Sequence, residues 1–204
     1  MSGRTLSILV WGGLAIALAA AIAAGAFNSR VPVRDDDATR IPEFSLTERS
    51  GRTISRADLE GSWWVADFIF TRCTGVCPLL TTRMAELAQR LPDVRLVSFS
   101  VDPDYDTPSV LSRYAEGAVP QGGAPEQWLF LTGPRETLHG LIGSGFHLSV
   151  SAAAPSPAAE GELVTHSDRL VLVDPDGYIR GYYHGTEEDA ATKIASDLAD
   201  LRGE

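Results

Sequence analysis

Between residues 63 and 78 the chain reads Trp63-Trp-Val-Ala-Asp-Phe-Ile-Phe-Thr-Arg-Cys73-Thr-Gly-Val-Cys77-Pro78. The first half is mostly apolar and β-prone, which is typical of a strand buried on both faces. After Pro78, apolar residues recur at helical spacing as far as Leu91, and proline is tolerated in the first turn of a helix. The sequence therefore predicts a buried strand, a turn that holds both cysteines of the chain, and a helix that begins at Cys77.

The segments around this unit alternate between strand and helix patterns. A hairpin is expected about Ser50-Gly51, and a strand–turn–strand unit is expected about Asp174-Pro-Asp-Gly177. Further strands are expected at 94–101 and 128–131, and helices at 108–118 and 134–142. This order predicts an α/β sandwich around a mixed sheet.

A final helix is expected to extend to about Leu201. Thr186, followed three residues later by Asp189, has the spacing of a variant capping box. The sequence therefore predicts that the Thr186 side chain caps this helix.

The amino-terminal segment differs from the rest of the chain. From Leu6 to Phe27 no residue is charged, and as a helix this segment would be about 33 Å long, enough to cross a bilayer. We interpret residues 1–27 as a membrane anchor, with a cleaved signal peptide as the alternative because Ala24-Gly25-Ala26 resembles a cleavage site. Residues 28–40 are expected to form a tether and residues 41–204 the exported domain.

The amino-acid composition excludes some classes of protein. The chain has 17 Lys+Arg against 27 Asp+Glu, and its net charge of −10 argues against a nucleic-acid-binding surface. Two cysteines rule out a disulfide-stapled scaffold and a four-cysteine metal cage. Residues 151–161, rich in Ala, Pro and Ser, are expected to form a loop.

The cysteine pair carries the chemistry. Residues four apart on a first helical turn project to the same side, so Cys73 and Cys77 can converge on one metal ion. A helix start favours negative charge and is expected to lower the thiol pKa, which supplies the thiolate that binds metals or attacks disulfides. The competing interpretation is an inert pair of buried cysteines.

Two thiolates leave a metal under-coordinated, so a histidine ligand is expected. His139 and His184 have the pattern of surface residues, and His147 is a weak candidate. His166 is favoured because it lies in the loop just before a predicted central strand, which in a thioredoxin-like sheet abuts the cysteine helix. Such a set suits Cu(I), Cu(II) or zinc.

The motif from Asp67 to Pro78 resembles the cysteine motif of the Sco/SenC family. The segment from Ser100 to Pro108 is similar to the family's segment after the next strand, and His166 with the turn at 174–177 is similar to its metal-histidine region. The resemblance covers about residues 41–201. It implies a thioredoxin-like domain behind one N-terminal transmembrane helix, with copper bound by Cys73, Cys77 and His166.

The resemblance also implies a function: delivery of copper to the dinuclear copper site of a respiratory haem–copper oxidase. The expected partners are the copper-receiving oxidase subunit, another copper donor and the membrane, and the expected state is a monomer. The domain would lie on the periplasmic side of the inner membrane. The alternative is an enzyme, a thiol–disulfide oxidoreductase in which Cys73 and Cys77 form a redox-active disulfide.

Other conspicuous residues have structural explanations. Asp102, Asp104 and Asp106 are expected to form the turn before a helix that Thr107 caps, with contact to the metal site or a partner as the lesser alternative. Asp174 and Asp176 are expected in a hairpin turn because Gly177 is misplaced for a calcium loop. Met84 is expected in the core.

Overall fold

The computed structural model describes residues 31–32, 38–118, 123–149 and 167–203. The predicted anchor 1–27, most of the tether, the loop 151–161 and His166 lie outside these residues. Within the described ranges, no helix combines the length and hydropathy that a membrane crossing requires.

The described strands fall where the sequence predicts them, except for a two-residue strand at Val31–Pro32, which lies within the predicted tether. Their bounds are β1 (Val31–Pro32), β2 (Ser45–Glu48), β3 (Thr53–Ser55), β4 (Trp64–Ile69), β5 (Arg95–Ser100), β6 (Trp128–Thr132), β7 (Arg169–Val173) and β8 (Ile179–His184). From β2 onward, these strands lie in one sheet in the order β8-β7-β4-β5-β6-β2-β3.

The described helices follow the predicted order with small differences in length. They are α1 (Cys77–Arg90), α2 (Pro108–Ala118), α3 (Arg135–Gly140) and α4 (Ala190–Arg202). A 3₁₀ turn covers Arg56–Asp58, and a π-helical turn, Leu141–Gly145, carries the third helical segment beyond its predicted end at Ile142.

Strand β4 lies at the centre of the sheet. It pairs in parallel with β5, where Ala66 faces Val97, and antiparallel with β7, where Ala66 faces Val171. Parallel and antiparallel pairs in one sheet confirm the predicted α/β fold with a mixed sheet. All six residues of β4 are buried, as expected for a strand covered on both faces.

An aromatic cluster fills the core on one face of the sheet. The Phe68 ring stacks on Phe99 with ring centroids 5.8 Å apart, and it meets Phe146 edge-on at 4.9 Å. Trp64 is buried and Trp63 is partly buried, while Met84 lies fully inside the core. Offset and edge-on aromatic pairs add stability beyond their buried area.

The β7–β8 turn is the predicted hairpin turn. Asp174 Oδ1 accepts the backbone N–H groups of Asp176 at 3.0 Å and Tyr178 at 2.9 Å. Gly177 has φ +84°, a conformation that glycine adopts without strain. The Asp174 side chain thus closes the turn by accepting backbone N–H groups, and the N–H of Ile179 bonds the Thr39 carbonyl at 2.9 Å.

The predicted cap of the last helix is wrong. Helix α4 begins at Ala190 after Asp189, which makes no side-chain cap bond. The Thr186 hydroxyl instead donates to Asp168 Oδ2 at 2.8 Å. The Thr186 hydroxyl, which local spacing assigns to the helix cap, is therefore bonded to a residue on the far side of the β7–β8 hairpin.

Candidate metal centre

Cys73 and Cys77 lie where the central strand meets the first helix. Cys73 is in the turn after β4, where its N–H bonds the Phe70 carbonyl at 3.1 Å, and Cys77 is the first residue of α1. Both are free thiols, with relative exposures of 9% and 1%. Cys73 is near enough to influence the pKa of Cys77, so the two side chains lie close together as expected, although Cys73 lies in the turn before the helix.

The environment of Cys77 overturns one electrostatic expectation. Burial raises the pKa of the Cys77 thiol well above its ordinary value, and the hydrogen bond with Cys73 raises it further. The position at a helix start is expected to lower that pKa, but the desolvation of a buried thiolate is the larger effect. Without a metal, Cys77 is therefore a neutral thiol at physiological pH.

A buried carboxylate lies on the strand that leads to the cysteines. Asp67 is 0% exposed, and neither of its oxygens has a hydrogen-bond partner of normal geometry among the described residues, although it faces Ser98 on β5. Burial raises the pKa of Asp67 to about 7. The sequence shows Asp67 as the one charged residue in an apolar strand, which is the signal that could have singled it out.

Asp106 holds the cysteine turn in place. Its carboxylate accepts the Thr71 hydroxyl at 2.6 Å, the Thr71 N–H at 3.2 Å and the Ser100 hydroxyl at 2.7 Å. The residue is fully buried, and burial raises the pKa of its carboxyl while the bonds from Thr71 and Ser100 oppose that rise. The sequence assigns Asp106 to a turn, yet its partners include the residue two positions before Cys73.

Arg72 ties the other side of the same turn. Its Nη2 donates to Asp102 Oδ2 at 2.6 Å, and its guanidinium lies 4.1 Å from the centre of the Tyr105 ring. Asp104 instead forms an exposed ion pair with Arg135. The expected turn is present, because the N–H groups of Tyr105 and Asp106 both bond the Asp102 carbonyl. Two of its three aspartates also contact the cysteine turn.

The three described histidines lie apart from any metal-binding group of side chains. His139 Nε2 is 3.4 Å from the Val101 carbonyl, His147 Nε2 is 3.2 Å from the Thr39 hydroxyl, and His184 Nδ1 is 2.8 Å from Asp168 Oδ2. Across residues 38–118, 123–149 and 167–203, no three His, Cys, Asp or Glu side chains are grouped to hold a metal.

The favoured ligand His166 lies outside the described residues, but its neighbours are placed. Strand β7 starts at Arg169 and runs antiparallel to β4, so its first residue lies beside the end of β4. The Asp168 carbonyl accepts the Gly185 N–H at 2.7 Å. A Cβ on Gly185 would collide with Leu80 of α1, so Asp168 lies beside the second turn of the cysteine helix.

Comparison with known proteins gives one consistent result. The profile of the SCO1/SenC family matches residues 33–202. The SCO1 protein homolog of Bacillus subtilis (strain 168) is 33% identical over 170 residues, which are 81% of this chain and 84% of that protein.

Two solved structures have the same fold. BsSco, described as a member of the Sco family of cytochrome c oxidase assembly proteins with a disulfide switch, has a TM-score of 0.68 and 31% identity. The match covers 85% of this chain and 96% of that one. ScoI of Bradyrhizobium japonicum with copper bound has a TM-score of 0.65 and 21% identity, over 78% and 97%, and supports the fold alone.

Proposed function

This chain belongs to the SCO1/SenC family, and on that premise we propose that it binds copper through Cys73, Cys77 and His166. We propose further that it delivers this copper to the dinuclear copper site of a respiratory haem–copper oxidase. Copper is then cargo that the protein takes up and releases.

The observation that carries the proposal is the pair of free, neighbouring thiols at the start of α1. Thiolates are soft ligands that select Cu(I) or zinc, and imidazole binds copper in either oxidation state. Both cysteine residues are buried. The donor set therefore fits copper, and a relative from Stutzerimonas stutzeri that is 32% identical over 151 residues, named "Putative copper-binding protein", favours copper over zinc.

Copper binding must displace protons from this site. Burial raises the pKa of Cys77, so the metal-free site holds a neutral thiol there. A metal binds the thiolate, and loading therefore releases the proton of Cys77. The hydrogen bonds from Thr71 to Asp106 hold the turn while the sulfurs exchange proton for metal.

The described neighbours of His166 support its place as the third ligand. The chain reaches Ser167 and Asp168 next to Leu80, one turn after Cys77. The same residues precede β7, whose start lies beside the end of β4. The described start of this segment therefore lies near the cysteine helix, which supports the proposal that His166 is the third ligand.

The second candidate function is a thiol–disulfide oxidoreductase that reduces the cysteines of the oxidase. Two free thiols in contact favour it, and the related BsSco is described with a disulfide switch. Against it, the raised pKa of Cys77 leaves that residue little thiolate, and the Cys-x-x-x-Cys spacing differs from the Cys-x-x-Cys motif of thioredoxin-type enzymes. Copper delivery is therefore the better proposal.

The location follows from the amino-terminal segment. We propose that residues 6–27 anchor the chain in the inner membrane and that the domain after the tether lies on the periplasmic side. An exported domain would meet a copper site that the oxidase exposes on the same side of the membrane.

A complementation assay separates the two functions. In a strain that lacks the gene and grows in copper-limited medium, His166→Ala should fail to restore oxidase activity although both cysteines remain. His147→Ala is the matched control and should restore it. Full rescue by His166→Ala at normal expression would exclude copper delivery and favour the reductase. Partial rescue by added copper would support a weakened metal site.

A further inference from the structure

An open groove runs between α1 and α2 and begins at the residue after Cys77. Its volume is about 470 Å³. Pro78 and Thr82 of α1 form one wall, and Tyr114 and Gly117 of α2 form the other. Pro78, Thr82 and Gly117 are exposed, so the groove is accessible from solvent next to the cysteine pair.

The hydroxyl groups of the groove are already bonded inside it. The Thr81 and Tyr114 hydroxyls lie 2.6 Å apart, and the Thr82 hydroxyl donates to the Pro78 carbonyl at 2.9 Å. What these side chains present to solvent is therefore a proline ring, a phenol ring and threonine methyl groups. A surface of this kind suits an apolar side chain from a partner.

One charge stands at the rim of the groove. Arg113 lines it, is exposed, and makes no ion pair within the part of the chain that the structure describes. Most other arginines around the cysteine end are paired, including Arg72 with Asp102 and Arg135 with Asp104. In a chain of net charge −10, an unpaired guanidinium next to an apolar groove favours a partner with a carboxylate.

The groove also has room for an incoming side chain. Gly117 lies in helix α2, and a Cβ on it would meet nothing within 4 Å. Glycine in a helix is less stable than alanine. Gly117 therefore lowers the stability of α2 and leaves the groove open at this position.

We propose that this groove docks a segment of the copper-receiving oxidase subunit, with an apolar side chain between α1 and α2 and a neighbouring carboxylate on Arg113. The inference rests on the proposed copper-delivery function and names the surface that brings the receiving site to Cys73 and Cys77. Arginine and tyrosine are frequent anchors of such interfaces.

Two variants test the groove without touching the copper ligands. Arg113→Glu reverses the charge at the rim, and Gly117→Leu adds a side chain at a position where a Cβ meets nothing within 4 Å. The matched controls are Arg90→Glu, an exposed charge reversal at the far end of α1, and Gly117→Ala, which adds one methyl group. The probe is the purified copper-receiving domain of the oxidase from the same organism.

Two measurements are made on the full chain in detergent: calorimetric binding of the domain and the rate of Cu(I) transfer to it. Arg113→Glu and Gly117→Leu should each weaken binding and slow transfer at least tenfold, with copper affinity unchanged and no loss of melting temperature. Both controls should match the wild type in binding and in transfer rate. Higher salt should weaken wild-type binding more than binding of Arg113→Glu.

Other outcomes overturn the inference. Wild-type binding by both groove variants would exclude the groove, and so would the absence of any binding by the wild type. If the variants change only adsorption to anionic phospholipid vesicles, the groove contacts lipid and the proposal is wrong. Failure of the copper function is separate: the wild type would then bind the domain but retain no copper.

Discussion

Thr71 and Asp106, 35 residues apart in the chain, are joined by two hydrogen bonds. The Asp106 carboxylate accepts the Thr71 hydroxyl at 2.6 Å and the Thr71 backbone N–H at 3.2 Å. Thr71 begins the turn that ends at Cys77, and Asp106 directly precedes the Thr107-Pro108 start of α2. The carboxylate therefore couples the position of the cysteine turn to the second helix.

Loss of the Asp106 carboxylate should loosen the cysteine turn. Asp106→Ala leaves the Thr71 N–H and the Ser100 hydroxyl without their acceptor in a buried site, which costs about 1–3 kcal/mol of stability. Copper retention should weaken with it. Asp104→Ala is the control, because an exposed pair with Arg135 contributes at most about 1 kcal/mol. Chemical denaturation checks both variants, and equal losses would contradict the assignment.

Asp67 should make stability depend on pH. The pKa of Asp67 is about 7 in the folded protein against an ordinary 3.8, so the folded state holds a proton that the unfolded state lacks between these values. Stability should therefore fall by about 4 kcal/mol as pH rises from 4 to 7, and then level off. Denaturant titrations of reduced, metal-free protein measure this.

Asp67→Asn is the comparison for that experiment. The variant cannot ionise, so its stability relative to the wild type should increase as pH rises through the same window. A stability difference between variant and wild type that stays constant from pH 4 to pH 8 would show that Asp67 keeps an ordinary pKa.

Cys77 should react slowly with alkylating agents in the metal-free protein. Burial raises its pKa and leaves 1% of the residue exposed, so both thiolate content and access are low. In Cys73→Ser, iodoacetamide at pH 8 should modify Cys77 at least tenfold more slowly than glutathione, as followed by mass spectrometry. Modification at the rate of glutathione would instead support a helix start that lowers the thiol pKa.

Gly185 should not accept a side chain. A Cβ there would collide with Leu80 Cδ2 and lie 3.1 Å from the Asp168 carbonyl oxygen. Gly185→Ala should therefore destabilise the protein by about 1–3 kcal/mol and weaken copper binding, since it displaces Asp168 or the cysteine helix. In Gly140→Ala the new methyl group meets nothing within 4 Å, and this control should be neutral or stabilising. Melting temperatures decide between them.

Local patterns predicted the elements well because each depends on its own residues. The apolar run of β4, the helical spacing after Pro78 and the turn at Gly177 are all present as expected. The Thr186 cap failed because Asp168 accepts its hydroxyl, and Asp168 becomes a neighbour only when β7 and β8 pair.

The candidate site shows the same division. Spacing predicted that Cys73 and Cys77 lie on one side of a first helical turn. In the structure only Cys77 is helical, and Cys73 lies in the turn before α1. The raised pKa of Cys77 and of Asp67 depends on burial beneath distant segments, and no local pattern reports it. The sequence shows only that Asp106 is in a turn. Its bonds to Ser100 of β5 and to Thr71 of the cysteine turn form when the folded chain brings these segments together.

The central claim is that Cys73 and Cys77 bind copper together with His166. The most direct measurement is a titration of the reduced chain with Cu(I) and with Cu(II), read by absorption and by mass. One copper per chain is expected, with retention abolished in Cys73→Ser and in Cys77→Ser and strongly weakened in His166→Ala. Full retention by either serine variant, or damage from His147→Ala while His166→Ala binds normally, would contradict the account.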